Sequence, residues 1–123
     1  MSRVVHFDIN AKDSDRAIKF YQTIFDWEFN KWDGPMEYWM IKTGEESEPG
    51  IDGGMSKNDD LPGLTTSVTI DVKWIDDVIK QIQDFGGEIT QQKMPIPGVG
   101  WFAQFKDTEG NTLGLMQDDP SAK

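Results

Sequence analysis

Few residues of this sequence could carry out chemistry, and the first strand-like segment holds two of them. The 123 residues include no cysteine and a single histidine, His6. Disulfides, thiolate nucleophiles and thiolate metal ligands are therefore excluded, and imidazole, carboxylates and neutral oxygens are the remaining donors. Asp8 follows His6 by two residues, and an imidazole beside a carboxylate can hold a metal ion or transfer a proton.

Hydrophobic alternation predicts that this segment is a strand. Apolar Val5, Phe7 and Ile9 alternate with His6 and Asp8, so the two polar side chains are expected on one face. A helix should follow, capped by Asp13-Ser14-Asp15 and with apolar residues at helical spacing. Those residues are Ala17, Ile18, Tyr21, Ile24 and Phe25. Three further strands are predicted, at Trp27 to Lys31, Glu37 to Lys42 and Gly50 to Ser56.

The same order of elements returns half a chain length later. Val68, Ile70 and Val72 alternate with Ser67 and Thr69, and a helical pattern follows. Its apolar residues are Ile75, Val78, Ile79, Ile82 and Phe85, and the strands after it are predicted at Glu88 to Gln92, Trp101 to Lys106 and Thr112 to Gln117. We therefore predict one domain over residues 1–123, made of modules 1–56 and 64–117, with a linker over 57–63 and a polar tail from Asp118.

This duplicated pattern resembles the glyoxalase / bleomycin-resistance / extradiol-dioxygenase superfamily, also called the vicinal oxygen chelate superfamily. The local cues are His6 on the strand before Phe20-Tyr21, Phe85-Gly86-Gly87 after the second helix, and the turn Asp107 to Asn111. The resemblance implies an α+β fold of two tandem βαβββ modules, with curled mixed sheets around a cavity. It also implies a homodimer.

On this resemblance, the polar faces of the first and fifth strands line a site for a small molecule. The ligand-binding residues that we predict are His6, Asp8, Ser67, Thr69 and Trp101. Trp101 has a second interpretation, because a large aromatic residue on a sheet face commonly anchors the core. No catalytic residue is assigned, and whether a reaction is catalysed is left open.

Metal-dependent relatives take ligands from the first and last strands of each module, and this sequence departs from that pattern. His6 matches the first position, but Ser67 and Gly114 fall on two others. Asp52 is the candidate for the fourth, and Asp8 could join it. Because transition-metal sites generally need about three protein ligands, we predict no bound metal and no other cofactor. The alternative is a divalent metal ion held by His6 and Asp52.

Charge and hydropathy restrict the partners. With 22 acidic and 12 basic residues the net charge is −10, which opposes phosphate backbones and anionic membranes. No apolar run reaches the length of a membrane span, so we expect a cytoplasmic protein without nucleic-acid or membrane partners. Our leading hypothesis is a metal-free protein that binds a small organic molecule. The alternative is a divergent metal-dependent lyase, isomerase or dioxygenase of the same superfamily.

Overall fold

The structure is a computed structural model that describes residues 1–57 and 66–123. The first module contains β1 (Arg3–Ala11), α1 (Ser14–Phe25), β2 (Glu28–Lys31), β3 (Tyr38–Lys42) and β4 (Gly53–Lys57). The second contains β5 (Ser67–Asp71), α2 (Ile75–Asp84), β6 (Glu88–Ile96), β7 (Gly100–Lys106) and β8 (Thr112–Asp118). The α+β class and the duplicated βαβββ order are confirmed. The chain divides into two compact units, residues 6–66 and residues 67–123 together with 1–5.

The sheet of the first unit is mixed, and α1 covers one of its faces. Strand β1 pairs with β4 in parallel, and β4, β3 and β2 pair antiparallel in that order. Met55 of β4 is fully buried, and Phe7 and Ile9 of β1 pack around it together with Ala17 and Ile18 of α1. Because successive strand residues point to opposite faces, His6 and Asp8 lie on the face away from the helix, as predicted.

Helix α1 begins and ends at recognisable caps. The carboxylate of Asp13 accepts a hydrogen bond from the backbone N–H of Arg16 at 3.0 Å, which satisfies a free donor of the first turn. Asp26 ends the helix in the left-handed conformation, with φ of 60°. The predicted capping cluster is therefore confirmed, although Ile24 and Phe25 at the end of the helix are more than half exposed.

The second unit repeats this arrangement. Strand β5 pairs with β8 in parallel, and β8, β7 and β6 pair antiparallel in that order. Its core contains Ile75 of α2, Ala103 of β7 and Leu115 of β8. The backbone N–H of Ile75 donates to the side-chain oxygen of Gln117 at 2.8 Å, so a β8 side chain caps the helix. Phe85 lies just beyond the helix and is 81% exposed, so its predicted place on the apolar face was wrong.

Most strand boundaries lie within one residue of the prediction, and two differ by more than that. Strand β4 begins at Gly53 rather than Gly50, because Asp52 bonds to Thr43 and Gly50 has a positive φ of 147°. Strand β6 continues through Pro95 to Ile96, with two irregularities of register, and an edge strand tolerates proline. The linker predicted over 57–63 lies outside the described residues, apart from Lys57 at the end of β4.

The C-terminal segment that we predicted as a polar tail is hydrogen-bonded into the second unit. The N–H of Gly98 donates to the carbonyl of Ala122 at 2.9 Å, and the N–H of Asp119 donates to the carbonyl of Val99 at 2.9 Å. The indole N–H of Trp101 donates to the Asp119 carboxylate at 3.0 Å. Ala122 is buried, so the last residues are part of the second unit.

Within the part of the chain that the structure describes, neither helix is long and apolar enough to cross a membrane.

The buried position of Met55 gives a test of the first unit. Met55→Ala should lower the free energy of unfolding by about 2–5 kcal/mol, because it removes buried apolar volume and leaves a cavity. Met36→Ala is the matched control, since Met36 is 61% exposed. Urea denaturation of both variants measures the difference, and equal effects would contradict the assignment of Met55 to the core.

Candidate functional site

A tyrosine hydroxyl joins His6 to Asp8 on the open face of the first unit. The hydroxyl of Tyr38, at the start of β3, donates to a carboxylate oxygen of Asp8 at 2.8 Å. The same hydroxyl oxygen is 3.0 Å from Nε2 of His6. Nε2 is also 3.4 Å from that Asp8 oxygen. The structure therefore brings two of the predicted residues together through a third, and we call His6, Tyr38 and Asp8 the polar triad.

A glycine makes room for the triad. Gly54 of β4 pairs with Asp8 on one side and with Met40 on the other. A Cβ atom placed on Gly54 would overlap the hydroxyl group of Tyr38. Tyr38 itself pairs with Ser56, so its ring leans diagonally across the sheet into the space above Gly54. The absence of a side chain at this position is what lets the hydroxyl reach between His6 and Asp8.

The surroundings of Tyr38 keep its hydroxyl protonated. Burial raises its pKa far above the ordinary value for tyrosine, and the negative charge of Asp8 and the hydrogen bond to it raise the pKa further. Tyr38 is consequently a hydrogen-bond donor at every ordinary pH. A tyrosine in this state can bridge and orient its neighbours, but it does not serve as a base.

Apolar groups flank the triad, which remains open to solvent. The side chains of His6 and Asp8 are 34% and 27% exposed. The ring of Trp32 meets the ring of Tyr38 edge-on, with centroids 6.2 Å apart. Met40 is 53% exposed next to Gly54 in the β3–β4 register. A small molecule could therefore reach polar acceptors and apolar contact area at one place.

Ser67 and Thr69 lie on β5 in the other unit. Thr69 is buried and pairs with Gly114 of β8. A Cβ on Gly114 would lie 2.9 Å from the Thr69 hydroxyl oxygen and 3.0 Å from the ring of Phe102. The strand registers make Phe102 the counterpart of Tyr38 and Gly114 the counterpart of Gly54. Each module thus places an aromatic ring beside a glycine, but only the first has an imidazole and a carboxylate there.

Trp101 lies on the opposite face of its sheet from Thr69. It alternates with Phe102 along β7 and packs against the core that includes Ala103 and Leu115. Of the two roles that the sequence left open, the structure supports the core anchor. Its predicted contact with a ligand has no structural support.

The side chains do not fit the metal site of the superfamily. Asp52 accepts hydrogen bonds from the backbone N–H and the hydroxyl of Thr43, at 2.9 and 3.3 Å, in an exposed turn. The space around Gly114 is filled by Phe102 and Thr69, so a carboxylate could not be added there without displacement. No cluster of three or more His, Cys, Asp or Glu side chains occurs within residues 1–57 and 66–123. His6 and Asp8 alone give fewer donors than divalent sites normally require.

Two surface depressions lie elsewhere in the described residues. One, of about 360 Å³, lies beside Trp27 and Phe29, and the other, of about 290 Å³, lies beside Trp74 and Gln117. Both are open to solvent and neither includes His6 or Asp8. We take the polar triad as the candidate site because three hydrogen-bonding side chains meet there.

Tyr38 is the functional candidate that the sequence did not reveal. In the structure Trp39 and Ile41 face the core, so the alternation along β3 places Tyr38 and Met40 on the opposite, polar face. Its contact with Asp8 depends on the β3–β4–β1 register and on the space above Gly54. Neither can be obtained from residue types alone.

Three comparisons with known proteins bear on this architecture. Residues 3–44 match the family described as bleomycin resistance protein-like N-terminal. Among solved structures, a hypothetical protein from Bacillus halodurans C-125 superimposes with a TM-score of 0.72 at 15% identity, over 99% of this chain and 98% of that one. Methylmalonyl-CoA epimerase from Mycobacterium tuberculosis gives 0.72 at 12% identity, over 95% and 88%.

A further structure agrees with these. A glyoxalase/bleomycin resistance protein/dioxygenase superfamily member from Vibrio splendidus 12B01 gives a TM-score of 0.65 at 18% identity, over 96% of this chain and all of that one. The chain therefore has the fold of these glyoxalase/bleomycin-resistance proteins, and its first 44 residues contain the match to the bleomycin resistance protein-like family. The resemblance that we inferred from sequence is confirmed. No curated protein matches this glyoxalase-fold chain at a significant level, and identities this low establish the fold alone.

The space above Gly54 can be tested by filling it. In a Tyr21→Phe background, Tyr38 is the only tyrosine left, because the sequence contains two. Adding Gly54→Ala should push the Tyr38 hydroxyl away from Asp8 and lower the pKa of Tyr38 toward the ordinary range, as seen in an alkaline titration by ultraviolet absorption. Gly44→Ala, where a Cβ would come no closer than 3.4 Å to another group, is the control. An unchanged titration in Gly54→Ala would contradict the packing described.

Proposed function

We propose that this protein binds a small organic molecule, without a metal ion, at the polar triad of its first module. The observation that carries the proposal is the hydrogen-bonded group of His6, Tyr38 and Asp8, part exposed on a sheet face and flanked by Trp32 and Met40. Ligand sites typically combine apolar contact area with a few placed polar groups, and this arrangement has both.

The chemistry of the triad restricts the ligand. Asp8 supplies a carboxylate that accepts hydrogen bonds and favours positive charge. No described Lys or Arg side chain lies within ion-pairing distance of it. The net charge of −10 adds a general preference against anions. Neutral or cationic molecules that carry hydrogen-bond donors fit this site better than phosphates or carboxylates.

The alternative of a metal-dependent lyase, isomerase or dioxygenase receives less support. It requires His6 with Asp52 or Asp8, but Asp52 is bonded to Thr43 and Nε2 of His6 lies against the Tyr38 hydroxyl. We infer that the scaffold has kept a ligand-binding face after losing the donors of a metal centre. We also propose a homodimer, on the basis of the superfamily resemblance, and a cytoplasmic location, as expected from the hydropathy of the sequence.

A screen with matched variants tests the proposal. Fragments with neutral or cationic donor groups are titrated against ¹⁵N-labelled protein, and binding should perturb the resonances of His6, Asp8 and Met40. Asp8→Asn should weaken the hits by at least about tenfold, because a hydrogen bond to a charged group contributes about 1.5–3 kcal/mol.

Asp52→Asn is the matched control, because it removes the same charge from the exposed turn beside Thr43. Its affinities should equal those of the wild type. If hits bind equally to all three proteins, or if all perturbations map away from β1 and β3, the triad is not the ligand site.

A further inference from the structure

We infer that Tyr38 is a positioning residue that holds His6 with its proton on Nε2, so that Nδ1 accepts a hydrogen bond from an N–H or O–H group of the ligand. This inference rests on the proposed function and names the ligand class and the accepting atom. It follows from which groups of the triad donate hydrogen bonds and which accept them.

The direction of each hydrogen bond follows from counting protons. A carboxylate has no proton to donate, so the 2.8 Å contact is a donation from the Tyr38 hydroxyl to Asp8. That donation uses the single proton of the hydroxyl. The Tyr38 oxygen can then only accept in its 3.0 Å contact with His6, and Nε2 must carry a hydrogen. Neutral His6 therefore has an unprotonated Nδ1.

Nδ1 is the nitrogen left for a ligand. It makes no hydrogen bond with a residue in the described ranges, 1–57 and 66–123. Among the same residues, no buried side-chain nitrogen or oxygen lacks a partner, so Nδ1 is reached by solvent. A solvent-accessible, unprotonated imidazole nitrogen accepts from N–H and O–H donors.

Asp8 and the neighbouring rings form the surroundings of this acceptor. The Asp8 carboxylate oxygen lies 3.4 Å from Nε2, so a ligand that donates to Nδ1 binds beside a negative charge. The rings of Trp32 and Tyr38 and the exposed Met40 side chain favour a flat apolar body around the donor.

The second module lacks this hydrogen-bonded triad. At the equivalent positions Phe102 has no hydroxyl, and Ser67 and Thr69 replace the imidazole and the carboxylate. The hydroxyl of Tyr38 is therefore not a requirement of the duplicated fold. It belongs to the chemistry of the first module.

The tautomer can be observed directly, because His6 is the single histidine of the chain. Two-dimensional ¹H–¹⁵N spectra of the imidazole ring at a pH where it is neutral should show a protonated Nε2 with a slowly exchanging hydrogen, and an unprotonated Nδ1. Tyr38→Phe should speed exchange of that hydrogen by about tenfold or more and allow both tautomers. Tyr21→Phe, which removes the other tyrosine hydroxyl, should leave the spectrum unchanged. A neutral His6 protonated on Nδ1 would overturn the inference.

A matched pair of probes tests the ligand class. Indole carries an N–H donor on a flat ring, and 1-methylindole has the same ring without the donor. Indole should shift the Nδ1 resonance of the wild type and shift it less in Tyr38→Phe, whereas 1-methylindole should leave Nδ1 in place. An equal shift from both probes, or none from indole, would overturn the assignment of Nδ1 as the accepting atom.

The failure of this inference is distinguishable from failure of the proposed function. Hits in the fragment screen that depend on Asp8, together with an Nδ1-protonated His6, would leave the binding site in place and refute the role of Tyr38.

Discussion

In the first module, α1 covers only one face of the sheet, and successive strand residues point to opposite faces. These two constraints decide where the polar side chains lie. Phe7 and Ile9 must face α1 to build the core around Met55, and His6 and Asp8 are consequently forced onto the other face. A shift of register by one residue would bury the imidazole and the carboxylate and expose the core. The same burial that stabilises the module therefore keeps its polar groups available to a ligand.

The two modules share one framework but carry different side chains at equivalent positions. Gly54 and Gly114 occupy corresponding places beside the first strand of their modules, and each leaves space for a ring from the neighbouring strand. In the first module that ring is Tyr38, and its hydroxyl connects His6 to Asp8. In the second it is Phe102, which fills the space without adding a polar group.

Much of the fold could be predicted from the sequence, because period-two and helical patterns are set by burial. The capping residue Asp13, the eight strands and the polar face of β1 were obtained in this way. Errors arose where long-range contacts decide the outcome. Asp119 is held by Trp101, so the supposed tail is folded, and Asp52 is held by Thr43, so β4 starts late. Of the polar triad, the sequence placed His6 and Asp8 on one face but not Tyr38, which reaches Asp8 only through strand pairing and the space above Gly54.

We propose that the first module carries a ligand site made by a hydrogen-bonded triad and not by a metal centre. The most direct measurement is elemental analysis of the purified protein after incubation with nickel, zinc, manganese and iron, followed by desalting, with His6→Ala treated in parallel. We expect far less than one metal ion per chain in both proteins. A metal content near one per chain that is lost in His6→Ala would refute the metal-free site, because His6 would then be a metal ligand and not a partner of Tyr38.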